Sequence, residues 1–106
     1  SLSCQGEFAA TALERCHVQK AFLSCRGVDA QRGLSEASME QAALKRKIIN
    51  LARQTVLLAD YSKMGVKSSW FFARLSDVDV LIANRRPDHA LARELNKGRV
   101  RLLLSS

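Results

Sequence analysis

Short runs rich in valine, leucine and isoleucine alternate along the chain with segments of helical length, a pattern that produces βαβ units around a mostly parallel sheet. Glu7 to Cys16 opens the series: Phe8, Ala9, Ala12 and Leu13 fall on one face, which predicts a packed helix. Lys20 to Cys25 reads as a buried strand. Arg26 to Ala37 is largely polar and holds Gly27 and Gly33, which predicts a loop, because glycine permits backbone conformations that other residues avoid. Ser38 and Gln41 then form an S-x-x-Q capping box, and Leu44, Ile48, Leu51 and Ala52 supply the buried stripe of a helix running to about Arg53.

Thr55 to Ala59 has no polar alternation after its threonine, the mark of a central strand covered on both faces, and Asp60 to Gly65 is the loop at its carboxyl end. Val78 to Ala83 repeats the strand pattern. Pro87 and Asp88 can start another helix, Gly98 can end it, and Val100 to Leu104 makes a final strand. The predicted order is α-β-α-β-β-α-β, an α/β class with a mostly parallel sheet and flanking helices. Strands of a parallel sheet are buried between neighbours, so the lack of an opening βα unit leads us to expect further strands before Ser1. All 106 residues then read as the later portion of a single domain.

Composition agrees with a folded globular chain: 47% of residues are apolar and only one is proline. No stretch approaches the ~20 apolar residues that a membrane helix requires, and Ser1 to Phe8 lacks the basic and apolar regions of a signal peptide. A cytoplasmic location without membrane contact is expected. Cys4, Cys16 and Cys25 are odd in number and contain no C-x-x-C, so they suggest neither a disulfide framework nor a zinc site, and no cofactor is expected. They read as reduced, mostly buried thiols. The formal charge of +7 admits a nucleic-acid surface or a site for small anions. Six of the 17 basic residues fall between Arg85 and Arg101 without interleaved aromatics, which favours a solvated basic face over a single-strand binder.

In open α/β sheets ligands bind beyond the carboxyl ends of the strands, here Cys25-Arg26-Gly27, Asp60 to Lys63 and Asn84-Arg85-Arg86. Ser24 to Asp29 offers a hydroxyl, a glycine that lets backbone N–H groups approach a ligand, and a carboxylate. Asp60, Ser62 and Lys63 add an acceptor, a hydroxyl and an ammonium. An ammonium pairs with phosphate as a point charge and carboxylates accept hydrogen bonds from sugar hydroxyls, a combination suited to a phosphorylated sugar. The same D-Y-S-K segment also reads as a common Asx-type turn with an exposed lysine.

Four motifs in order carry a resemblance. K-A-F-L-S-C-R-G-V-D-A-Q-R-G-L-S, A-A-L-K-R-K-I-I-N-L-A-R, T-V-L-L-A-D-Y-S-K-M-G and L-S-D-V-D-V-L-I-A-N are similar in sequence and spacing to the effector domain of DeoR-type transcriptional repressors. The resemblance covers nearly the whole chain from Gly6. It implies a sugar-isomerase-like fold, of the ribose-5-phosphate isomerase and CoA transferase kind, that binds a phosphorylated sugar or polyol. It also implies DNA binding through a winged helix-turn-helix upstream of this segment, and a homo-oligomer. On matching positions, Gly27, Asp29 and Gly33 would form the ligand loop, Lys45 would project from the helix and Lys63 would close the site. Ser24 lines the same loop where the family usually has glycine. Gln19 and Asn84 stand where the family has aspartates, and Trp70-Phe71-Phe72 is bulkier than expected and reads as core or subunit interface.

Two other functions compete with the sensor. Sugar-phosphate isomerases share a similar D-x-S-K turn but need a carboxylate to move a proton through an enediol, and where they offer Glu-Lys this helix reads Lys45-Arg46-Lys47. Glu36 and Glu40 lie earlier and reach the site only if the alignment shifts, so a non-enzyme is expected. Direct DNA binding by this segment would rest on Lys45-Arg46-Lys47, yet Arg46 and Lys47 read more simply as the solvated side of the helix.

Overall fold

A computed structural model describes residues 18–105. The helix expected at Glu7 to Cys16, and with it Cys4 and Cys16, lies outside the described residues. The order is β1 (Val18–Leu23), β2 (Gly27–Asp29), β3 (Gly33–Glu36), α1 (Met39–Leu51), β4 (Ala52–Leu58), β5 (Trp70–Ala73), β6 (Val80–Ala83), α2 (His89–Lys97) and β7 (Arg101–Leu104). Strands β1, β4, β6 and β7 form a parallel sheet in that spatial order, the α/β arrangement expected. The strand stretches expected from the apolar runs all fall in this sheet, shifted by a few residues at their ends.

The parallel sheet buries one face first. Leu23, Leu57, Leu81 and Leu102 lie in register across it, and Ile48 and Ile49 of α1 with Leu91 and Leu95 of α2 pack into the same core. The strands advance in one direction across the sheet, so right-handed crossovers bring both helices to one face. On the alternate positions Phe22, Leu58 and Leu103 remain partly exposed.

Helix α1 starts where the sequence predicts. Ser38 has extended backbone, and its Oγ accepts the Gln41 N–H at 3.1 Å, the capping half of the expected box. The helix ends at Leu51 and passes straight into β4 at Ala52, so the expected helical stretch to Arg53 is two residues too long. Asp88 caps α2 through the Leu91 N–H at 2.9 Å, and Gly98 closes it.

The loop expected at Arg26 to Ala37 is a correction. It contains β2 and β3, an antiparallel hairpin that pairs with β5 to make a second, three-stranded sheet. Every residue of β2 and β3 is buried, including Asp29, Ser35 and Glu36, so neither alternation nor apolar content marks them as strands. Strand β5 comes from the aromatic cluster. Phe72 is in the core, Phe71 lies half-buried with the Arg32 guanidinium 4.7 Å from its ring centroid, and Trp70 is exposed.

Arg46 is also not the freely solvated residue expected. It donates to the Asp77 carboxylate at 2.9 Å, to the Phe72 carbonyl at 3.3 Å and to Asn50, tying α1 to β5 and to the turn after it. Burial works against the charged form of Asp77, but the Arg74 N–H and Arg46 outweigh it and hold this carboxyl below its ordinary 3.8. With its pKa depressed in the folded state, the stability Asp77 lends is full above the unfolded carboxylate range and is lost as pH falls through the folded value. Asp77→Asn is expected to flatten the acid limb of stability below about pH 4, as read from urea unfolding at a series of pH values.

Candidate functional site

The carboxyl ends of β1 and β4 are adjacent, and the chain leaving each builds one wall of a cavity. After β1 come Ser24, Cys25 and Arg26; after β4 comes the tight turn Tyr61–Lys63. Asp60 shapes that turn by accepting the Ser62 N–H at 2.9 Å and the Ser62 hydroxyl, contacts that hold its carboxyl below the ordinary range. Asn84, at the end of β6, accepts the Tyr61 N–H at 2.8 Å. The residue that departs from the usual aspartate thus anchors the turn that carries Lys63.

The cavity has a volume of about 360 Å³, within the range of small-molecule sites. Ser24, Arg26, Glu36, Gln41, Lys45 and Lys63 supply its polar lining, with Cys25 and with Leu44 and Ile48 of α1 behind them. Of the expected ligand residues, Ser24, Lys45 and Lys63 come together here. Gly27, Asp29 and Gly33 do not line it. Asp29 turns its carboxylate to the Gln31 and Arg32 N–H groups, at 3.1 and 2.7 Å, and so closes the β2–β3 hairpin. Gly27 is needed because a Cβ there would lie 2.1 Å from the Val66 carbonyl oxygen. Gly33 has φ +94 and passes the Ala73 carbonyl oxygen at a similar hypothetical distance.

Lys45 is nearly buried and its ammonium donates twice, to the Ser24 carbonyl and to Glu36 Oε2, both at 2.6 Å. Glu36, which the sequence reading places short of the site, lines the cavity. It sits at the end of β3, is 7% exposed and faces the cavity, a position that follows from the hairpin and could not be read from a polar G-L-S-E segment. Cys25 lies beside the pair. Burial dominates its behaviour and pushes the thiol up to about 12, against the pull of Lys45, so it is a packed and unreactive sulfur. Arg26 and Lys63 form no ion pair among the described residues.

A second concavity of about 410 Å³ lies at the opposite, amino ends of β6 and β7, between Gln31, Arg74, Ser76 and Gly98. Ligands of open parallel sheets gather at the carboxyl ends, which favours the first cavity. Among the described residues no group of His, Cys, Asp or Glu could hold a metal ion, and no helix is long and apolar enough to cross a membrane.

Comparison with known proteins adds an independent line. The family model of the DeoR C-terminal sensor domain matches residues 1–85. The chain is 40% identical over 102 residues to the uncharacterized HTH-type transcriptional regulator YulB of Bacillus subtilis, covering 96% of the chain and 40% of that protein. It is 37% identical over 93 residues to the HTH-type transcriptional repressor GlcR of the same organism, covering 88% of the chain and 36% of that protein. The uncharacterized regulator YgbI of Escherichia coli is 33% identical over 103 residues, 97% of the chain and 40% of its own length. The chain thus spans well under half the length of these relatives.

Proposed function

Because the chain belongs to the DeoR C-terminal sensor domain family, we propose that it is the effector-reading part of a transcriptional repressor, and that its effector is a phosphorylated sugar or polyol. The observation that carries this reading is the cavity at the carboxyl ends of β1 and β4, where Arg26 and Lys63 offer cationic groups that form no ion pair with the carboxylate of the lining, and Ser24 and Lys45 stand beside them. A charged phosphate supplies the missing anion. DNA is contacted by a helix-turn-helix outside this segment, as the names of the relatives suggest for those proteins, in a cytoplasmic homo-oligomer. The effector binds one arrangement of subunits better than another, and that difference in affinity shifts the DNA affinity.

Glu36 gives a specific reason to weigh an isomerase beside the sensor, since it brings a carboxylate into the cavity that the helix sequence does not offer. The geometry supports binding over proton transfer. One oxygen of Glu36 is held at 2.6 Å by the Lys45 ammonium, which occupies an acceptor position that a general base would need for the substrate proton. Lys45-Arg46-Lys47 lends no support to direct DNA contact either, because Lys45 points to the cavity and Arg46 to Asp77.

Lys63→Ala tests the reading. The side chain lies at the cavity wall and outside the hydrophobic core, so the variant is expected to keep its melting temperature while its affinity for phosphorylated sugars falls about tenfold or more. Unchanged affinity in calorimetric titration would remove Lys63 from the site. Turnover of a pentose or hexose phosphate that disappears with Glu36→Gln would replace the sensor by an enzyme.

A further inference from the structure

The four charged side chains of the cavity are not equivalent. Lys45 and Glu36 are nearly buried and paired with each other, whereas Arg26 and Lys63 are more exposed and unpaired among the described residues. Three cations and one carboxylate line the cavity, and although the Asp60 carboxylate just outside it acts on Lys63, the lining keeps a net positive charge suited to a phosphate ester carrying about −1.5 to −2 at neutral pH. Two of the three N–H donors of Lys45 are already used, on the Ser24 carbonyl and on Glu36, so this lysine is poorly placed to anchor a phosphate. Glu36 has the opposite character. An ionised carboxylate only accepts hydrogen bonds, repels a phosphate and attracts hydroxyl donors, and Lys45 occupies just one of its two oxygens in the bonds seen here.

We propose that the cavity is polarised, with Arg26 and Lys63 holding the phosphate of the effector while Glu36, oriented by Lys45, accepts hydrogen bonds from its hydroxyl groups and selects polyhydroxylated esters. This rests on the cavity being the effector site. It makes Glu36 and Arg26 specificity-determining residues, and it turns Lys45 from an anion ligand into a positioning residue that fixes the carboxylate. A site built to pair with hydroxyl groups discriminates strongly against an analogue lacking them, because its own acceptor is left unpaired.

Two probes of equal charge and carbon number separate the roles: a hexitol 6-phosphate and n-hexyl phosphate, which differ only in hydroxyl groups. Calorimetric titration of the wild-type protein is expected to show the hexitol ester binding at least about tenfold more tightly. In Glu36→Gln that preference shrinks to within about twofold, while hexyl phosphate binds as well as before or better because a repelling charge is gone. Arg26→Gln, which breaks no ion pair among the described residues, weakens both esters by about tenfold and leaves their ratio unchanged. Should Glu36→Gln fail to fold, Glu36→Asp keeps the charge but withdraws the carboxylate by one methylene, and the preference is again expected to drop.

A preference that survives intact in a folded Glu36 variant overturns the proposal, as does equal binding of the two esters by the wild type. In that second case the phosphate site still stands. If neither ester binds the wild type, the effector-site reading fails and the polarity of the cavity falls with it.

Discussion

Lys45→Met is expected to destabilise the protein by about 3–5 kcal/mol, the usual cost of stripping one member from a buried ion pair. The side chains of Lys45 and Glu36 are only 13% and 10% exposed, so little water is at hand to replace the lost partner. Methionine fills the volume of the lysine stem but leaves a carboxylate and the Ser24 carbonyl without their shared donor. Against a total stability of about 5–15 kcal/mol for a domain, that loss should be plain in urea unfolding followed by circular dichroism. The double variant Lys45→Met with Glu36→Leu is expected to recover most of it, since an apolar pair of similar volume removes the unpaired charge. Equal stability of the single and double variants would mean that the pair is not desolvated as the geometry implies.

Gly33→Ala carries the other large effect. Its φ of +94 is one that L side chains rarely adopt, and the new Cβ would meet the Ala73 carbonyl oxygen at 2.1 Å. Strain of the first kind costs about 1–3 kcal/mol, and the clash adds to it because the obstacle is backbone of β5 and cannot rotate away. Gly65→Ala is the internal control. Gly65 has φ +79 but open space around its hypothetical Cβ, so only the backbone strain applies and the loss should be clearly smaller. The Gly33 substitution should also weaken effector binding from outside the cavity, because a displaced β3 carries Glu36 away from Lys45. Urea titrations of both variants, with calorimetry on the Gly33 one, read the two consequences separately.

Such an effect at a distance changes the meaning of the glycines. The family resemblance implies that Gly27, Asp29 and Gly33 form a ligand loop. In the structure all three shape a hairpin, and what reaches the cavity is the far end of that hairpin, Glu36. Any effect of their substitution on effector binding is therefore expected to pass through strand position.

The parallel sheet was legible because its two central strands bury consecutive residues, Thr55 to Leu57 in β4 and Val80 and Leu81 in β6, so the burial is written into short apolar runs. The same holds for α1, whose cap at Ser38 and stripe at Leu44 and Ile48 lie within one stretch of chain. Ser24 and Lys63 could be brought together from the strand ends, because the carboxyl ends of β1 and β4 meet in a parallel sheet with these neighbours, whereas Lys45 on α1 was placed with them by the family resemblance.

The second sheet was hidden. Strands β2, β3 and β5 are three or four residues long, and their buried polar residues are satisfied outside the strands that carry them: Asp29 by the N–H groups of Gln31 and Arg32, Glu36 by Lys45 on α1 and Ser35 by the Ser68 N–H. No strand-length window contains both halves of such an exchange. The sequence by itself determined the α/β class, the capped helix and the strand ends where a ligand can sit. Tertiary structure alone decided that a polar stretch becomes a buried hairpin, that Glu36 enters the cavity and that Lys45 spends its charge on it, because burying those polar groups is tolerable only once non-local hydrogen bonds replace water.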